Sequence, residues 1–190
     1  MPVAPRLPLR VVVASTVIAL LAATAVYVAL SEDGDEAVDA GGTVELSPEG
    51  SAPADPTTAV FTTFDDEEVP LTSLRGGPVL VNFFASYCVP CIEEMPALEE
   101  VHQQLGDQVT FLGLAMQDRP EDALELIERT GITYRTGQDK DSSVITALGG
   151  IVLPTTVLLD ADGEIVASHA GELDADGVRE LIADAFGITP

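Results

Sequence analysis

Basic side chains are nearly missing from this chain. It carries 8 Lys+Arg against 32 Asp+Glu, a formal net charge of −24, and Lys140 is its one lysine. Such a surface repels phosphate backbones, which argues against nucleic acid as a partner. It suits a salty exterior, where repulsion between acids is screened, and it equally follows from compositional bias or from solubility alone. Histidine is limited to His102 and His169, far apart in the chain and read as surface or packing residues. Cysteine stops at Cys88 and Cys91. A structural zinc site needs four ligands, and neither a second cysteine pair nor a closely spaced histidine pair is present, so no metal and no cofactor is expected. Ile92 follows Cys91, which excludes the Cys-x-x-Cys-His of haem attachment. The position seven before Cys88 is Val81, where a peroxiredoxin pattern needs proline. No internal repeat is visible.

What is present centres on Val79 to Cys91. Val79-Leu80-Val81-Asn82-Phe83-Phe84 is a nearly continuous apolar run, which predicts a strand covered on both faces. Ile92, Met95, Leu98 and Val101 then recur at helical spacing, so a helix is expected to start near Cys88, to bend at Pro96 and to end near Leu105-Gly106. A Cys-x-x-Cys pair at a helix N-terminus has a definite chemistry. Open N–H groups and the positive end of the helix dipole favour a thiolate, the nucleophilic form of cysteine. Cys88 is the expected attacking sulfur, and Cys91, one turn later and less exposed, the resolving one. A purely structural disulfide is the bland alternative; its two-residue loop gains little chain entropy.

Asn82-Phe83-Phe84-Ala85-Ser86-Tyr87-Cys88-Val89-Pro90-Cys91, Glu94-Met95-Pro96 and Leu153-Pro154-Thr155-Thr156 together resemble the extracytoplasmic thioredoxin-like oxidoreductases of the TlpA/ResA type. The likeness runs from about Ala59 to Pro190. One departure is Tyr87, where that family usually has tryptophan. The resemblance implies a redox-active Cys88–Cys91 disulfide, with Tyr87 and Pro90 as supporting residues. It implies a cis-proline at Pro154 facing the pair, with the Leu153 backbone pairing with an extended substrate segment. It implies that Glu94 lies near the pair and tunes its acidity. The spacing agrees, since Glu94 follows Cys91 by three and shares its helix face. A carboxylate there disfavours thiolate. The bland reading of Glu94 is a solvated acid, as taken for Glu93, Glu99 and Glu100. Asn82 stands where cytosolic thioredoxins hold a buried aspartate; Asn cannot titrate, so Glu94 or water would take over its proton work.

Residues 1–10 hold Arg6 and Arg10 and no acid, and Val11–Leu30 is an uncharged apolar run long enough to span a bilayer. Acids follow it, which places residues 1–10 in the cytoplasm and the rest outside. The competing reading is a signal peptide cleaved at Ala23-Thr24-Ala25. Either way the cysteines reach a compartment where disulfides persist. Residues 31–58 are rich in Asp, Glu, Gly, Ala, Ser and Pro and are expected to be a disordered acidic linker.

Residues 59–190 are expected to be one thioredoxin-like α/β domain: a central mixed sheet with helices on both faces, preceded by an N-terminal hairpin. The expected elements are a hairpin over Val60–Phe64 and Val69–Leu71, the Val79 strand and motif helix, a strand at Val109–Ala115 and a helix over Pro120–Thr130 closed by Gly131. A short strand at Ile132–Tyr134 follows, then a helix through Leu148 capped by Ser142 or Ser143. A hairpin of Thr155–Leu159 with Glu164–His169 and a helix over Asp174–Phe186 complete the order.

The expected reaction is thiol–disulfide exchange with partner proteins. Family resemblance favours a reductant in cytochrome c maturation, acting on apocytochrome c and recharged by an integral-membrane thiol donor. The alternatives are an oxidase of secreted proteins and a non-catalytic thioredoxin-like binding module.

Overall fold

The computed structural model describes residues 58–190. The expected cytoplasmic segment and membrane anchor, and the linker as far as residue 57, lie outside the described residues. Among the described residues no helix is long and apolar enough to cross a membrane.

The chain begins with β1 (Val60–Thr62) and β2 (Glu68–Pro70), paired antiparallel, and a single 3-10 turn at Leu71–Leu74. Then come β3 (Val79–Phe84), α1 (Val89–Leu105), β4 (Thr110–Met116), α2 (Pro120–Thr130), β5 (Arg135–Asp139), α3 (Ser143–Ala147), β6 (Thr155–Leu159), β7 (Ile165–Ala170) and α4 (Ala175–Phe186). They form one seven-stranded sheet in the order β2-β1-β5-β4-β3-β6-β7. β3, β4 and β5 run parallel, and β6 and β7 continue antiparallel on the other side of β3. β3 is therefore interior, and all six of its residues are buried.

Alternation along β3 divides the core. Val79, Val81 and Phe83 join Phe61, Val144, Ile145 and Leu148 on one face. Leu80 and Phe84 join Met95, Leu98, Val101 and Leu105 of α1 and Val178 and Ile182 of α4 on the other. Each such side chain contributes about 1.5–3 kcal/mol relative to exposure. By the same pleat, Asn82 shares the α1 face with Leu80 and Phe84, and it is the polar member of that row.

α1 begins where Pro90 occupies its first turn, a position that needs no N–H donor. Pro96 lies inside α1 on its exposed side, and the helix runs on to Leu105. α2 takes the expected bounds; Gly131 closes it in the left-handed region at φ 70°, its N–H donating to Ile127 O.

Two expectations need correction. Ile132–Tyr134 is not a strand. Ile132 and Tyr134 are buried in the α1-side core, and the strand is the polar segment Arg135–Asp139 that follows. The apolar pattern there marks burial rather than pairing. Gly137 in this strand is required by close approach: a Cβ would lie 2.8 Å from the Phe61 ring and 2.9 Å from Thr62 O. Nor does a serine side chain cap α3. Ser142 is the N-cap residue, in the left-handed region at φ 62°, but the carboxylate of Asp139 takes the Val144 and Ile145 N–H groups at 3.2 and 2.9 Å. α3 ends at Ala147, one residue short of the expected Leu148.

Candidate active site

The cysteine loop leaves the carboxyl end of β3, beside the carboxyl end of parallel β4, where open α/β sheets place their sites. Its shape is held locally. The Cys88 N–H donates to Ala85 O at 3.1 Å. The Ser86 N–H and hydroxyl both donate to Asp118, at 2.5 and 2.8 Å, tying the loop to the segment after β4. Cys88 is the N-cap of α1, with extended φ/ψ, and its Sγ accepts the Cys91 N–H at 3.3 Å. Cys88 and Cys91 form a disulfide with Sγ–Sγ 2.01 Å.

The two sulfurs are not equivalent. Cys88 is half-buried at the helix mouth, and Cys91 is fully buried. Tyr87 and Val89 beside Cys88 are 66% and 63% exposed, so the position that departs from the family's tryptophan is a surface position. Pro90 is exposed too. The Leu153–Pro154 bond is cis. Pro154 immediately precedes Thr155, which pairs with Phe83, so it stands opposite the end of β3 where the cysteine loop begins. Ile151 and Val152, just upstream, are exposed, and Leu153 packs against both halves of the core.

Glu94 is not a solvated acid. It is fully buried one turn after Cys91. Its Oε2 accepts from Asn82 Nδ2 at 2.9 Å and its Oε1 from the Leu173 N–H at 3.2 Å. Leu173 precedes α4, which Arg179 secures to α1 through Gln104 at 3.0 Å and an ion pair with Glu100. Asn82 also donates to Thr156 Oγ1 at 3.1 Å. Burial pushes the Glu94 carboxyl up to about 7; the Asn82 and Leu173 hydrogen bonds oppose that rise and the charge of Glu172 adds to it. A buried carboxyl held near neutrality, three residues along the helix from Cys91, has an acidity suited to proton exchange with a thiol.

Of the residues singled out in the sequence, the fold sets Cys88, Cys91 and Pro154 at the carboxyl end of β3 and joins Asn82 to Glu94. The sequence reading did not name Thr156, Asp118 or the Leu173 N–H as partners there. The first had a usable signal in its place two residues after Pro154. The Leu173 donor is backbone and leaves no mark in composition. His102 packs its ring against Phe111 and Tyr134, with centroids 5.2 and 5.6 Å away, and His169 lies on β7 opposite Thr156. Glu99, expected to be solvated, is half-buried and accepts the Thr133 N–H and hydroxyl, each at 2.7 Å. Among the described residues no group of three His, Cys, Asp or Glu converges as a metal ligand set.

The family model described as Redoxin matches residues 48–184, most of the chain and all of this site. The chain belongs to the Redoxin family. Within it, this Redoxin protein is a thiol-disulfide oxidoreductase of the TlpA/ResA type. It is 32% identical over 124 residues to the thiol-disulfide oxidoreductase ResA of Halalkalibacterium halodurans, covering 65% of this chain and 70% of that one. It is 31% identical over 112 residues to the thiol:disulfide interchange protein DsbE of Xylella fastidiosa, covering 58% and 56%. Among solved structures, a thioredoxin-family thiol:disulfide interchange protein from Chlorobium tepidum superposes with a TM-score of 0.60 at 25% identity, over 71% of this Redoxin chain and 97% of that one. A secreted Mycobacterium tuberculosis disulfide oxidoreductase superposes with a TM-score of 0.61 at 20% identity, over 68% and 97%. The fold is thioredoxin-like, as the sequence led us to expect.

Proposed function

We propose that this oxidoreductase works outside the cytosol as a reductant of protein disulfides, with Cys88 attacking and Cys91 resolving. The observation that carries the assignment of attacker and resolver is the asymmetry of the pair; the resemblance to ResA and DsbE supports the direction and the compartment. Cys88 is half-buried at the open N-terminus of α1, while Cys91 is sealed beneath it one turn from Glu94. Cys88 thiolate attacks a partner disulfide; that S–S bond breaks, a mixed disulfide forms and the partner's first sulfur leaves as thiolate. Cys91 gives its proton to Glu94 and attacks the Cys88 sulfur, releasing the partner's second thiolate. Two electrons have then passed from the Cys88/Cys91 dithiol to the partner, and the Cys88–Cys91 disulfide is left. Tyr87, Val89, Ile151 and Val152 offer an apolar surface around the reacting sulfur, and the Leu153 backbone beside Pro154 pairs with the partner's extended segment.

The finer reading is that the partner is apocytochrome c, whose Cys-x-x-Cys-His must be reduced before haem attachment. The resemblance to ResA and DsbE supports it. An integral-membrane thiol donor recharges the pair, and residues 11–30 keep the domain near that donor.

The roles are tested by trapping. Cys91→Ser keeps the attacker and loses the group that releases the partner, so it is expected to accumulate mixed disulfides on a non-reducing gel; Cys88→Ser is expected to form far fewer. Equal trapping by both variants refutes the assignment. Mass spectrometry of the adducts separates directions: apocytochrome c supports the reductant, a broad set of secreted proteins the oxidase. A Cys88–Cys91 potential of about −250 mV or lower also supports the reductant, and one near about −120 mV the oxidase. N-terminal sequencing of the membrane fraction tests the anchor, and a soluble product beginning at Val26 overturns it.

A further inference from the structure

We propose that Thr156 is a positioning residue for the Glu94 proton site: its hydroxyl oxygen anchors the Asn82 NH2 group against the carboxylate. This rests on the reading of Glu94 as the group that takes the Cys91 proton. Asn82, Glu94 and Thr156 are each 0% exposed, so their hydrogen bonds form without competition from bulk water.

The contact follows from register. Asn82 on β3 lies directly opposite Thr156 on β6 and, on its other flank, opposite Gly113 on β4. A cross-strand pair brings the two side chains within reach on the same face of the sheet. The Asn82 amide nitrogen has two hydrogens. One goes to Glu94 Oε2 at 2.9 Å and the other to Thr156 Oγ1 at 3.1 Å. The Gly113 flank has no side chain to hold the amide. The Tyr134 ring edge fills that space, 3.0 Å from where a Cβ on Gly113 would lie. Asn82 Oδ1 is buried with no hydrogen-bond partner, so Thr156 and Glu94 are the two groups that anchor the amide. With the Thr156 oxygen removed, one amide hydrogen loses its acceptor, and the amide is free to turn away from Glu94. The Asn82 bond favours the ionised carboxyl, so weakening it favours the proton staying on.

The other groups around Glu94 are the Leu173 N–H on Oε1 and the neighbouring Glu172 before α4, and Tyr134 before β5; His169 on β7 lies opposite Thr156. Thr156 also lies two residues after Pro154, so the strand proposed to receive the partner segment is the same strand that orients the proton acceptor.

The experiment uses Thr156→Val, which keeps the branched shape and removes the oxygen, and Thr156→Ser, which keeps the oxygen. Carbon-13 NMR of the side-chain carboxyl of Glu94, identified by its loss in Glu94→Gln, reads the titration of the full-length oxidised protein without turnover. Thr156→Val is expected to raise the Glu94 midpoint by about one pH unit, and Thr156→Ser to keep it within about 0.3. The acidic limb of the insulin-reduction pH profile is expected to move upward with it in Thr156→Val. In a Glu94→Gln background, Thr156→Val is expected to leave that profile unchanged. An unmoved NMR midpoint in Thr156→Val, or an equal displacement by Val and Ser, overturns the proposal. A midpoint that moves while the turnover profile stays still upholds the positioning role and refutes the reading of Glu94 as proton acceptor.

Discussion

Glu94→Gln should change how the stability of the oxidised protein depends on pH. The buried carboxyl is raised from an ordinary 4.5 to about 7, first by burial. Below pH 4.5 the folded and unfolded chains both hold this proton, and the site carries no penalty. As pH rises, the unfolded chain releases its proton first, so the folded state loses stability until pH passes about 7, where Glu94 ionises in both states. The gap between the two values corresponds to about 3 kcal/mol. Gln cannot ionise, so it escapes that loss. It also cannot serve both neighbours: its carbonyl can accept from Asn82 or from the Leu173 N–H, not from both, which costs about 1–2 kcal/mol at every pH. The variant is therefore expected to be the less stable protein near about pH 4.5 and the more stable one near about pH 8, with the difference changing by about 3 kcal/mol. Urea denaturation of both proteins across this range measures it, and most other carboxylates cancel in the comparison. A difference that stays constant within about 1 kcal/mol would refute the claim that Glu94 ionises within the core.

The same substitution is expected to lower the Cys88 thiol pKa, because it removes a neighbouring negative charge; the iodoacetamide alkylation rate against pH, measured in a reduced Cys91→Ala background, reads the midpoint. Asp139→Ala removes the acceptor for the Val144 and Ile145 N–H groups at the start of α3. It should destabilise the protein by about 1–2 kcal/mol, checked by thermal unfolding. Gly137→Ala drives a methyl against the Phe61 ring and the Thr62 carbonyl; a loss of about 1–3 kcal/mol in urea denaturation is expected, and an unchanged midpoint would show that β1 yields to it.

The sequence alone determined the features written in local chemistry. Six consecutive apolar or amide residues from Val79 to Phe84 could only be an interior strand. Helical spacing from Ile92 onward placed the cysteines at a helix start, and Gly131 marked the end of α2 in advance. The redox pair was legible because two cysteines at that spacing, with neither a second cysteine pair nor a closely spaced histidine pair, leave little else to do. What the sequence could not reveal depends on how distant segments meet. β5 is made of Arg, Thr, Gly, Gln and Asp and carries no strand pattern; its pairing comes from neighbours on either side. Asp139 caps α3 because the end of β5 points at that helix, and no rule of adjacent residues names it. Whether Glu94 was a surface acid or a buried one was undecided by spacing, since one helix face can look at solvent or at a sheet. The tertiary structure decided it by packing α1 over β3 and bringing the loop before α4 across the top. That places Asn82, Thr156 and the Leu173 N–H around a single carboxyl, where removal of water raises its pKa and hydrogen bonds limit the rise.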